Sequence, residues 1–151
     1  MKSFSFAALF RDEAGQTVLE TALSLWVTIS VVFWLFEFCM LTYTCNVLNY
    51  AAQQGVRYAI VHGADSTVCS GPDSTCTDRS PYANVKAVVT AAATASLHTT
   101  TAMTVTVNYA NGTAAAGNPV TVTLVYTYVP YIKLAGIAKT VTLFSRGNIL
   151  F

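Results

Sequence analysis

The sequence predicts an α+β fold in which a long N-terminal transmembrane helix leads into a short second helix and a three-stranded antiparallel sheet. Three observations predict it. An apolar run begins in earnest at Ala22 and meets no charge until Glu37. Apolar residues then recur at helical spacing, first over residues 43–62 and again from Tyr82 to about Leu97. In the last third the period changes to strict alternation, in MTVTVNY (103–109) and the first half of VTVTLVYTYV (120–129).

Composition agrees with a lipid-embedded part. The 151 residues are 54% apolar and only 10% charged, too apolar for a typical soluble domain. A net charge of +1 with no basic run removes the electrostatic footprint of a nucleic-acid binder, so no nucleic-acid partner is expected.

The apolar run reads ALSLWVTISVVFWLF from Ala22 to Phe36 and continues past Glu37. A helix from Thr21 to Tyr43 would rise about 34 Å, enough to cross a hydrocarbon core of about 30 Å. The competing reading is a cleaved secretory signal. That would be shorter and followed by small residues, whereas Glu37, Phe38 and Cys39 follow here. Lys2 and Arg11 precede the run and no Lys or Arg follows it until Arg57, which puts the N-terminus in the cytoplasm and the bulk of the chain outside. The expected organisation is a cytoplasmic leader over 1–15, a transmembrane helix over 16–45 and an extracytoplasmic head over 46–151.

The helical pattern does not stop at the membrane. In YTCNVLNYAAQQGVRYAIVH (43–62), Val47, Tyr50, Ala51, Val56 or Arg57, Tyr58 and Val61 gather near one face, and Asn46, Asn49, Gln53 and Gln54 elsewhere. Gly55 costs such a helix about 1 kcal/mol relative to Ala, which marks close packing or a bend. His62-Gly63 ends it, with Gly63 suited to the left-handed geometry past a helix C-terminus.

A polar loop, ADSTVCSGPDSTCTDRSP, follows and holds Cys69 and Cys76 on the oxidising side. A disulfide between them would stabilise the head by about 2 to 3 kcal/mol. A metal site is the weaker alternative, because two thiols without CxxC spacing, even with His62 and Asp65 near, make an incomplete ligand set. Cys39 and Cys45 sit about 9 Å apart along one helix and cannot bridge each other. They read as apolar fillers.

Ser80-Pro81 supplies a capping serine and a first-turn proline for the second helix, whose Tyr82, Val85, Val88, Val89 and Ala92 share a face. The strands follow: Met103, Val105, Val107 and Tyr109 on one side, Thr104, Thr106 and Asn108 on the other. Asn111-Gly112 and Gly117-Asn118 punctuate the first connection, and a third, less regular strand runs from about Thr140 to Ser145. Such a meander has one face to bury, and the outer half of the long helix together with the short helix is its natural cover.

Upstream of the apolar run stands EAGQTVLET, residues 13–21. Gly15 followed by Gln16, Thr17, Val18, Leu19 and Glu20 resembles the processing site of type IV pilin-like precursors. Such precursors are cut after the glycine by a membrane-embedded aspartic peptidase, leaving the glutamate fifth in the mature chain. The remainder is similar to the TadE family of minor pilins, or pseudopilins, of tight-adherence (Flp-type) pili. The shared features are an acidic residue near the outer end of the membrane helix (Glu37), AAQQGVRYAIVHG at 51–63, an Ala/Val-rich helix, and a V-T-V-T strand leading to Tyr126, Tyr128 and Pro130. Thr21 stands where the family often has an aromatic residue. The resemblance covers nearly the whole chain and implies a pilin-like fold, a bacterial inner-membrane location and no cofactor. The partners it implies are the prepilin peptidase, other pilin subunits and the pilus assembly platform. A role in assembly and cell adhesion follows.

The spacing has a physical rationale. A cut after Gly15 would create an ammonium at Gln16 beside hydrocarbon, and Glu20, about 6 Å further along the helix, offers it a counter-charge. Glycine would also let an extended segment enter a peptidase cleft. The plainer alternative is that Gly15 ends a cytoplasmic loop and Glu20 sits where the helix dipole favours an acid. Glu37 has two readings as well, a side chain at the outer headgroup level or a polar contact with a neighbouring pilin helix. Arg57 reads as a satisfied surface or sheet-packing charge before a ligand contact, and Tyr109, Tyr126, Tyr128 and Tyr131 as core or cross-strand aromatics before a binding patch.

No catalytic constellation emerges. His62 and His98 are the only histidines and lie in no nucleophile or metal motif, and no glycine-rich phosphate loop follows a strand. The chain is expected not to be an enzyme. Besides an assembly protein, two readings stand: an uncleaved membrane-anchored binding or adhesion module, and an anchored hydrolase or metal protein.

Overall fold

The fold comes from a computed structural model, which describes residues 13–66, 68, 70–72, 82–97, 99–130 and 139–150. Its elements are α1 (Glu13–Val61), α2 (Ala83–Thr94), β1 (Met103–Tyr109), β2 (Pro119–Tyr128) and β3 (Lys139–Asn148), with a 3-10 turn at Ala110–Gly112. The α+β arrangement read from the sequence is the one the chain adopts. It divides into two compact units, one up to Cys39 and one from Met40 onward, so the division falls inside α1.

Between Ala22 and Phe36, α1 exposes large apolar side chains along its length. Leu23, Leu25, Trp26, Val27, Val31, Val32, Phe33, Trp34 and Leu35 are all more than half exposed. A helix stretch this apolar suits either a protein interior or a lipid bilayer. Among the described residues α1 is the one helix long and apolar enough to cross a membrane. Three of its hydroxyl side chains turn back on the helix itself. Thr21 Oγ1 donates to the Thr17 carbonyl, Thr28 Oγ1 to Ser24 at 2.8 Å and Ser30 Oγ to Trp26 at 2.8 Å.

In the second unit the sheet has the order β1-β2-β3, antiparallel throughout. Its register runs without a bulge, from Met103 opposite Tyr126 to Tyr109 opposite Val120, and from Pro119 opposite Asn148 to Tyr128 opposite Lys139. Because strand side chains alternate, Val107 and Tyr109 of β1 face the core with Val120, Val122 and Leu124 of β2, while Thr104, Thr106 and Asn108 face out. Leu48, Ala51, Ala52, Val56 and Ala59 of α1 and Val85, Val89 and Ala93 of α2 cover that face. Asn111 and Gly112 turn the chain after β1, with φ of 63° and 68°. β3 is longer than its sequence pattern suggests, running from Lys139 to Asn148 because it pairs along the full length of β2.

Gly55 resolves in favour of close packing. A Cβ there would fall 2.3 Å from Val89 Cγ2, so α2 reaches the backbone of α1. At Gly147 a Cβ would fall 2.4 Å from Ile60 Cδ1 and 2.9 Å from Val56 Cγ1, so β3 makes the same close approach to α1.

Three sequence expectations need correction. The inward face of α1 consists of Thr44, Leu48, Ala51, Ala52, Gly55, Val56 and Ala59, whereas Tyr50 and Val61 are more than half exposed. The helix does end at Val61, but Gly63 takes no positive φ. Backbone bonds from elsewhere satisfy its last turn instead, Leu150 N–H donating to the Ile60 carbonyl at 3.0 Å. Finally, α2 begins at Ala83 behind Tyr82, which has φ 83° and no side-chain cap. Ser80 and Pro81 lie outside the described residues.

Candidate functional site

The residues singled out for processing and assembly lie in the first unit. Gly15 and Gln16 occupy the first turns of α1, Gln16 and Glu20 exposed. The Gly15–Gln16 junction is therefore helical here, not the extended strand a peptidase cleft holds. Cleavage would have to unwind this turn, and glycine lowers the cost because it disfavours helix by about 1 kcal/mol relative to Ala. Glu20 lies one helical turn beyond Gln16 on the same side, a rise of about 6 Å. Glu37 is half-buried, further along the same helix.

Among the described residues the head holds no candidate site of comparable definition. Tyr109 and Tyr128 are buried, with 4% and 7% of their surface exposed, so they belong to the core and not to a surface patch. Tyr126 is half-buried, and its hydroxyl donates to the Thr99 carbonyl at 3.3 Å. Tyr131 lies outside the described residues. Arg57 is exposed. His62 stacks on Tyr58, with ring centroids 4.0 Å apart, and its Nδ1 lies 3.0 Å from the Tyr58 carbonyl. This makes it a helix-end residue. Among the described residues no group of three His, Cys, Asp or Glu could hold a metal ion.

Cys39 is exposed and Cys45 half-buried, both as free thiols on α1. Cys69 and Cys76 lie outside the described residues. Ser70 and Gly71, which follow Cys69, have a part that the sequence did not hint at. Ser70 is buried at 2% exposure, its backbone N–H donates to the His62 carbonyl at 2.9 Å, and its Oγ donates to the same oxygen at 2.6 Å. Gly71 packs so tightly that a Cβ would fall 2.1 Å from Ala114 Cβ. Tyr109 closes the arrangement from β1, and Tyr82 stacks on it at 5.7 Å. Burial raises the Tyr109 pKa above the usual tyrosine value; the Ser70 hydrogen bond opposes the shift and the phenols of Tyr82 and Tyr58 add to it. Ser70 reads as one more serine of a polar loop, and no local pattern marks it as an anchor.

Comparison with known proteins adds no relative: no family model, no curated protein and no solved structure matches the chain.

Proposed function

We propose that this chain is a membrane-anchored minor pilin or pseudopilin that is processed between Gly15 and Gln16 and takes part in assembling a tight-adherence (Flp-type) pilus and in adhesion. The observation that supports the reading best is the span of α1. One helix carries the Gly15–Gln16 junction, a long apolar stretch and, from Thr44 to Ala59, one wall of the head's core. A subunit of this design inserts by its first half, with the N-terminus in the cytoplasm and the head outside the inner membrane, and presents the same apolar surface to neighbouring subunits on assembly.

Processing supplies the polar element. The new Gln16 ammonium and Glu20 would each cost about 2.5 to 3.5 kcal/mol unpaired at mid-membrane, so pairing them between subunits favours assembly in register. Glu37 extends the same logic toward the outer end of the helix. A Cys69–Cys76 disulfide closes the loop that Ser70 and Gly71 fasten to the head. Prepilin peptidase, the assembly platform and other pilins are the partners of this scheme.

N-terminal sequencing of the protein recovered from cells that possess the peptidase tests the reading. The mature chain is expected to begin at Gln16. An intact Met1 chain would leave the uncleaved, anchored adhesion module in its place.

A further inference from the structure

While α1 and α2 cover one face of the sheet, the other face is a field of threonines. Each strand carries a pair of them there, two residues apart: Thr104 and Thr106 on β1, Thr121 and Thr123 on β2, Thr140 and Thr142 on β3. The register sets these strands in rows. Thr106 lies beside Thr123 and then Phe144, Thr104 beside Val125 and then Thr142, and Asn108 beside Thr121 and then Arg146. Neighbours in a row are about 4.8 Å apart and successive rows about 6.8 Å. None of the six hydroxyls is bonded to another described residue.

Two larger side chains stand among the hydroxyls, both on β3. Phe144 is 72% exposed, an aromatic ring left in water at the end of a row of threonines. Arg146 follows it on the same face and is exposed as well. It is the only charge on this face among the described residues, and because no acidic residue follows Asp78 in the sequence, the three strands carry no carboxylate to neutralise it.

We propose that this face binds an acidic polysaccharide, with Phe144 lying against a sugar ring and Arg146 pairing with its carboxylate. The inference rests on the adhesive role in the proposed function and names its ligand. The make-up of the face selects this occupant. A protein partner is met by a cluster of apolar and aromatic side chains at the centre of an interface, and here one ring stands among hydroxyls. Nucleic acid calls for a run of cations, and this face has one. A sugar offers what matches: an apolar C–H surface for an aromatic ring, and a rim of hydroxyls for side chains that both donate and accept. The single arginine, whose planar fork fits a carboxylate with two parallel hydrogen bonds, favours a uronic acid over a neutral sugar.

The experiment titrates the full chain, held in phosphatidylcholine nanodiscs, with alginate oligosaccharides as the polyuronate and dextran oligosaccharides of equal length as the neutral sugar, empty discs serving as the blank. Alginate is expected to bind several-fold more tightly than dextran, and salt should narrow the difference. Phe144→Ala should weaken both sugars several-fold. Arg146→Gln should bring alginate down to the level of dextran and remove the salt dependence. Gln53→Ala, exposed on α1, should change neither. Failure of the discs to bind either sugar, or binding indifferent to Phe144→Ala and Arg146→Gln, would overturn the inference. So would self-association that Phe144→Ala abolishes without any sugar bound, which would give the face to a second copy. N-terminal sequencing of the same preparation separates the two layers: a chain beginning at Gln16 that binds no sugar removes only the ligand, whereas an intact Met1 chain that binds alginate keeps the ligand and removes the pilin reading.

Discussion

The Tyr109 hydroxyl donates to the Ser70 carbonyl at 2.9 Å and lies 2.8 Å from the Ser70 hydroxyl, joining the last residue of β1 to the connection that follows α1. Both residues are buried. A polar loop is thereby held to the core by a tyrosine that also stacks on Tyr82. Tyr109→Phe keeps the ring and removes the donor, leaving a buried carbonyl short of a partner, at a cost of about 1 to 3 kcal/mol. Thermal unfolding of the full chain in detergent should show a lower midpoint; an unchanged midpoint would mean that the bond contributes nothing.

The same phenol predicts an alkaline limit. Its folded pKa is raised above 10.0, chiefly by burial, so the folded state keeps a proton that the unfolded state gives up. The contribution is complete below the ordinary tyrosine value and is lost as pH rises from there through the raised folded value. Stability measured against pH should therefore decline on the alkaline side, and the decline should be shallower in Tyr109→Phe. Parallel curves for the two proteins would argue against this origin.

Gly55→Ala should destabilise despite the better helix propensity of alanine. The gain is about 1 kcal/mol in propensity, while the new methyl would sit 2.3 Å from Val89 Cγ2, on a stiff β-branched side chain facing Val85 and Val122. Overpacking of this kind costs about 1 to 3 kcal/mol. Combining the change with Val89→Ala should recover part of the loss, because the clash is with one side chain. Equal loss in single and double variants would contradict a packing cause.

The thiols offer a chemical count. If Cys69 and Cys76 are joined, alkylation of the denatured, unreduced protein should modify Cys39 and Cys45 alone, and prior reduction should expose the other pair. Modification of all four cysteines without reductant would remove the disulfide.

Where the sequence was legible, side-chain size and period carried the information. The alternation of Val105 and Val107 with Thr104 and Thr106 placed β1 correctly, because strand periodicity leaves each residue only two faces. The inner face of α1 was harder to read. Large residues such as Tyr50 and Val61 drew the expected face toward themselves, while the true contact uses Ala51, Ala52, Gly55 and Ala59, small enough to admit α2 and the sheet. Helix ends were harder still: Leu150, two residues past β3, satisfies Ile60. The Gly15–Glu20 stretch is recognisable only as a motif, since its meaning depends on a peptidase and sister subunits beyond this chain.

Fractionation of cells expressing the full chain, followed by alkaline carbonate extraction, bears on all of this at once. The protein should remain with the membrane pellet and enter solution only with detergent, because the apolar run from Ala22 to Phe36 has no aqueous alternative. Recovery of the intact chain as a freely soluble protein, without detergent or lipid, would contradict the membrane anchor and the pilin reading built on it.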